Sequence, residues 1–96
     1  MSYDDIKIED VWKKGRKIIN TDPNKWRKDQ CGAWIKRKQY GIRDSLYGWE
    51  IHHIKNVGGD GLENLIPLQW KNNVVTGEGQ LKCPVTAEGS KNVEKE

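Results

Sequence analysis

The sequence predicts a small α+β domain with a strand–loop–strand–helix centre, and three observations predict it. Trp49-Glu50-Ile51-His52-His53-Ile54 alternates large apolar with polar residues, the period-two pattern of a half-buried strand. Leu65-Ile66-Pro67-Leu68 is a second apolar run, which Pro67, lacking an N–H, confines to a sheet edge or a strand end. Gln69 to Val75 offers one or two helical turns, stopped by Gly77. Between the strands, Asn56 to Asn64 is a loop with three glycines. Both histidines of the chain stand side by side at the end of the first strand. A regular strand points His53 with Trp49 and Ile51, and His52 with Glu50 and Ile54, so a shared site requires the strand to end or bulge there.

The flanking elements follow in order. Residues 1–10 mix acids with Ile6 and Ile8 and read as a flexible lead-in or a short edge strand. Residues 11–19 have strand-like composition with a glycine break, and Asp22-Pro23 is a helix-start signal for a turn or two over residues 25–28, ending near Cys31-Gly32. Residues 33–37 read as a strand, 38–48 as a loop, 81–86 as a last edge strand and 88–96 as a disordered tail. The implied domain is 11–87, with a basic strand/helix extension before the centre.

Length and composition bound what this frame can do. Ninety-six residues make one domain with a thin core, and with no Phe the five Trp and three Tyr must supply much of its burial. Between residues 12 and 43 lie eleven Lys and Arg against two Asp, a local charge of +9. The rest of the chain, with six basic and twelve acidic residues, carries −6. A concentrated positive region fits a polyanion, nucleic acid first, or else a solvated surface. Cys31 and Cys83 are too few for a four-cysteine zinc site and read as small buried thiols, with a bridge or a shared metal as the alternatives. With no leader-like segment and no membrane-length apolar run, the expectation is a cytoplasmic protein with reduced thiols and no membrane partner.

Site chemistry concentrates in the centre. Phosphodiester hydrolysis needs a base for water, positive charge at the phosphate and contacts that hold the backbone. His53 suits the base, and Asn64, brought back by the Gly58-Gly59-Asp60-Gly61 loop, can fix its tautomer. His52 and an asparagine of the following helix can hold a divalent ion.

These residues resemble the HNH endonuclease family, in its small free-standing bacterial and phage form. Trp49-Glu50-Ile51-His52-His53-Ile54, the Gly58-Gly59 loop, Glu63-Asn64-Leu65 and Pro67-Leu68-Gln69-Trp70-Lys71-Asn72-Asn73 fall in the family's order. The likeness extends upstream through Asp22-Pro23-Asn24, Trp26-Arg27-Lys28-Asp29 and Cys31-Gly32-Ala33-Trp34-Ile35-Lys36-Arg37, covering roughly residues 11–86. It implies a ββα-metal core and a metal-dependent endonuclease acting on DNA, double-stranded in preference to single-stranded, as monomer or homodimer. By position, His53 would be the general base, Asn64 its orienting residue, and His52 and Asn73 the metal ligands, with Asn72 the off-by-one alternative. The family usually has an aspartate where His52 stands, and Gly77 falls where a third ligand would. Two neutral ligands suit Mn, Ni or Zn better than Mg, unless Glu50 supplies a carboxylate.

Lys36, Arg37, Lys38 and Arg27 are the expected phosphate contacts, and the five tryptophans the expected scaffold. Two rivals stand beside the nuclease: a nucleic-acid-binding module with weak or no catalysis, and a mini-domain whose His52 and cysteines hold zinc.

Overall fold

A computed structural model describes residues 3–77 and 80–95. The fold is α+β: helix α1 (Asp5–Trp12), strands β1 (Trp26–Lys28), β2 (Trp34–Lys36), β3 (Trp49–His53) and β4 (Leu65–Gln69), helix α2 (Trp70–Thr76), and strands β5 (Val85–Glu88) and β6 (Lys91–Glu94). The strands pair as three antiparallel two-stranded sheets, β1–β2, β3–β4 and β5–β6.

The centre has the expected order. β3 and β4 pair from Trp49 opposite Gln69 to His53 opposite Leu65, and α2 follows β4 without a break. Pro67 lies on a strand with a single β partner, as its missing N–H favours. The Gln69 side chain caps α2, accepting from Lys71 N at 2.8 Å and Asn72 N at 3.1 Å, and Gly77 ends it at φ +55°.

The N-terminal lead-in is corrected to a helix. Asp4 caps α1 by accepting from Lys7 N at 2.8 Å, and Asp5 sits favourably in its first turn. Ile8, Val11 and Trp12 form its buried face, an i, i+3, i+4 set that crosses the boundary drawn at residue 10. Ile6, which made the stretch look like an alternating strand, points outward at 74% exposure. The helix expected after Pro23 is instead one turn, with Asp22 Oδ1 accepting from Asn24 N at 2.9 Å, before the chain extends into β1.

The tail expected at 88–96 is corrected too: through residue 94 it completes the β5–β6 hairpin. Gly89 at φ +62° opens its two-residue turn. The hairpin is fastened from outside. Asn92 Oδ1 accepts from Trp34 N at 2.6 Å, and its Nδ2 donates to Trp34 O at 2.8 Å and Leu46 O at 3.0 Å. Cys31 and Cys83 form a disulfide, against the expectation of reduced thiols, and tie the β1–β2 turn to the approach of β5.

Trp12 and Trp49, both fully buried, pack at 5.2 Å between ring centroids in the middle of the core with Ile8, Val11, Ile35, Ile51 and Leu65. Asp29, only 2% exposed, joins the outer elements to this centre. Its Oδ1 accepts from Cys31 N and Ala33 N, both at 2.9 Å, and its Oδ2 from Gln69 N at 2.9 Å and Asn72 Nδ2 at 3.1 Å. Burial pushes this carboxyl above its ordinary range, and the four donors oppose that push.

Candidate active site

β3 ends at His53, and there the two imidazoles part and yet line one hollow of about 260 Å³ with Ile51, Asn56, Asn73 and Gly77. His52 turns towards α2 and is 7% exposed; its Nδ1 lies 3.0 Å from Asn73 Oδ1. The sequence-predicted pair is thus together. With Nδ1 protonated, His52 donates a hydrogen bond to Asn73.

With Nδ1 unprotonated, both atoms are free to face a cation. Two donors at about 2.1 Å from an ion and at right angles stand about 3.0 Å apart, so the observed separation fits neighbouring corners of one coordination sphere.

Glu50 does not complete that sphere. Its Oε1 accepts from Asn73 Nδ2 at 2.9 Å and Arg43 Nη2 at 3.0 Å, and its Oε2 from Arg43 Nε at 2.7 Å. Burial alone would raise this carboxyl, but the Arg43 and Asn73 hydrogen bonds and the Arg43 charge outweigh it and hold it below the usual range. The proposed accessory ligand therefore already has its counter-charge and instead orients Asn73. Among the described residues no group of three or more His, Cys, Asp and Glu converges on a point. Asn72, the off-by-one alternative, is fully buried and structural: its Nδ2 donates to Val85 O at 3.0 Å as well as to Asp29, and its Oδ1 accepts from Val85 N at 2.9 Å.

His53 meets a partner that sequence reasoning missed. Its Nε2 lies 2.7 Å from Asp60 Oδ1 and 3.1 Å from the Tyr3 hydroxyl, which itself donates to Asp60 Oδ1 at 3.2 Å. Hydrogen bonds from His53 and Tyr3 hold the Asp60 carboxyl below its ordinary range, so it stays an acceptor at neutral pH. In the tautomer that donates from Nε2, Nδ1 carries the lone pair.

Asn64, predicted to orient His53, acts one step away. Its Oδ1 accepts from Lys55 N at 2.9 Å, and both N–H groups of its amide are used, on Lys55 O at 2.8 Å and Gly59 O at 2.9 Å. It thereby holds the loop that presents Asp60. The glycine pair has a physical reason: a Cβ on Gly58 would come within 2.6 Å of the Asn64 amide, and Gly59 adopts φ +75°. Asp60 was visible in the loop motif, but only the folded loop aims it at His53.

The expected phosphate contacts divide. Arg27 is 5% exposed and donates to the carbonyls of Pro23, Lys13 and Gly15, each at 3.0 Å, so it braces the turn after α1. Arg37 pairs with Glu9 at 2.8 Å. Lys36 and Lys38 remain on the surface without an ion pair among the described residues.

No family model, curated protein or solved structure matches the chain. No helix among the described residues is long and apolar enough to cross a membrane.

Proposed function

We propose that the chain is a metal-dependent endonuclease that hydrolyses phosphodiester bonds in DNA, with β3, β4 and α2 as a ββα-metal core. The observation that carries the reading is the convergence of His52 and Asn73, 3.0 Å apart, on the hollow that His53 also lines. In this reading His53 takes the proton of the attacking water at Nδ1, while Asp60 accepts from Nε2 and fixes the tautomer. Asn64 and Tyr3 keep Asp60 and the ring in register. His52 Nδ1 and Asn73 Oδ1 would hold one divalent ion, which when bound neutralises charge developing on the scissile phosphate and leaving oxygen. A neutral nitrogen–oxygen pair favours Mn, Ni or Zn over Mg.

One observation favours a second reading, a nucleic-acid-binding module with little or no catalysis: Arg43 and Asn73 occupy the carboxylate of Glu50, the candidate accessory ligand. Supercoiled plasmid incubated with the protein and Mg, Mn, Ni or Zn separates the two. The nuclease nicks the plasmid, EDTA stops it, and His53→Ala stops it without weakening plasmid retardation in a gel. Retardation with no nicking in any of the four ions leaves the binding module.

A further inference from the structure

The outer face of the β1–β2 hairpin carries chemistry that the histidine site does not use. Arg27 and Ile35 point inward, and Trp26, Lys28, Trp34 and Lys36 lie half-buried on the other side. Register sets each ring across from a lysine: Trp26 pairs with Lys36 and Lys28 with Trp34. The Lys28 ammonium stands 4.8 Å from the Trp34 ring centroid and that of Lys36 5.5 Å from Trp26.

The two indoles are held, not loose. They meet edge to face at 6.1 Å and 86°, Tyr47 packs against Trp26 at 90°, and Trp34 Nε1 donates to Gly89 O at 2.8 Å. An open hollow of about 280 Å³ is lined by Trp26, Trp34, Thr21 and Ser90. A second, of about 270 Å³, is lined by Trp26, Asn24, Lys25, Lys36 and Lys38. Trp26 thus borders both an aromatic slot and a basic one. Lys25, Lys28, Lys36 and Lys38 form no ion pair among the described residues, so their charge is available to a partner.

We propose that this face is a binding site for unpaired nucleobases of a single strand, with Trp26 and Trp34 stacking bases and Lys25, Lys28, Lys36 and Lys38 meeting the flanking phosphates. Rigid rings interleaved with lysines are the make-up of single-strand platforms, because every base offers a π-face and every nucleotide a charge. A duplex hides its base faces in the stack and gains only the charge term. The proposal rests on the reading of the chain as a nucleic-acid-binding protein and is independent of catalysis.

The test uses the full chain in EDTA, where no cleavage intervenes. It compares a short oligothymidylate, an abasic strand of equal length and the corresponding duplex, by tryptophan fluorescence and anisotropy. Oligothymidylate is expected to quench the fluorescence and to bind more tightly than the abasic strand. Trp34→Leu is expected to weaken oligothymidylate by about fivefold to a hundredfold while leaving the abasic strand unchanged. Should Trp34→Leu lower the melting temperature, the wild-type comparison and the surface variant Lys28→Gln/Lys36→Gln carry the test. The latter is expected to weaken both strands alike and to flatten the salt dependence by about two charges. Equal wild-type affinity for abasic and base-bearing strands, or an equal loss of both in Trp34→Leu, overturns the site. Absence of plasmid nicking leaves it standing, and its own failure leaves the nicking assay untouched.

Discussion

Asn73 presents its Oδ1 to His52 Nδ1 at 3.0 Å and gives its Nδ2 to Glu50 at 2.9 Å, so one amide links the candidate ligand to the Arg43–Glu50 ion pair. That link makes the ion site testable without turnover. An ion at a hundred times its Kd stabilises the folded chain by about 2.7 kcal/mol. Nickel should therefore raise the melting temperature of the wild type and fail to raise that of Asn73→Ala. His52→Asp should add a carboxylate ligand and move the ratio of magnesium- to nickel-supported nicking up by roughly tenfold. An unchanged ratio removes His52 from the ion's shell.

The His53–Asp60 contact and the Asn64 loop contacts separate two kinds of variant. Asp60 is exposed and touches the ring, so Asp60→Asn should cost rate, about tenfold to a hundredfold, and leave the melting temperature within about a degree or two. Asn64 is 6% exposed and holds three backbone groups. Asn64→Ala should lose rate and on the order of 1–3 kcal/mol of stability together. Identical melting curves for wild type and Asn64→Ala would show that the loop does not depend on that amide.

This difference also marks how far the sequence could be read. β3, β4 and α2 were legible because alternation, Pro67 and Gly77 are local signals; the strand stop at His53 was only a condition set by a shared site, since the alternation itself runs on to Ile54. The residues alone offered His52 with an asparagine of the following helix, and only the family resemblance singled out Asn73 over Asn72, the one that meets His52. Asp60 was not, because its direction depends on how Asn64 folds the loop. The β5–β6 hairpin hid for another reason: of its residues only Val85 and Asn92 are buried, and its anchors are tertiary, to Trp34, Leu46 and Cys31. Its one local signal, Gly89-Ser90 between short runs, is weak alone. Trp26 and Trp34 were assigned to the scaffold by residue type; with Arg27 and Ile35 inward, strand alternation leaves both rings half-buried on the outer face, where they pack on each other.

Two carboxyls should give opposite pH dependences. Glu50 is held below its ordinary range in the folded state, so its stabilisation is present above the unfolded carboxyl value and is lost as pH falls through the folded one. Its Arg43 partner is 57% exposed, which limits the pair to about 0.2–1 kcal/mol. Glu50→Gln should lose that much at neutral pH in urea titrations and match the wild type in strong acid. Asp29 is raised by burial, so the folded state keeps its proton longer, and its contribution weakens as pH climbs from the ordinary carboxyl range through the raised value. Asp29→Asn sets an amide N–H against donors and should cost on the order of 2–4 kcal/mol at neutral pH. A neutral effect there would mean the four donors find other acceptors.

The disulfide supplies the last prediction. Cys31 and Cys83 lie 52 residues apart, and closing a loop of that length stabilises by about 4 kcal/mol in the chain-entropy account, typically less in measured cases. Reduction by dithiothreitol, or Cys31→Ser with Cys83→Ser, should cost about 2–4 kcal/mol, a fall of roughly 10–30 °C in melting temperature for a domain of this size. The loss should not be uniform. β5 and β6 bury little, so their amides should lose exchange protection first, while β3 and β4, which bracket Trp49 and Leu65 in the core, keep theirs. α2 lies between these regimes: Asn72 binds Val85 at its N-terminal end, and Thr76 accepts from Lys82 N at 3.1 Å at the other. The double serine variant should therefore show weaker nickel stabilisation than the wild type, because Asn73 sits on α2, whose outer contacts run to the segment the bridge secures. Equal protection of β5–β6 in both redox states would show that Asn92 and Asn72 hold the hairpin by themselves.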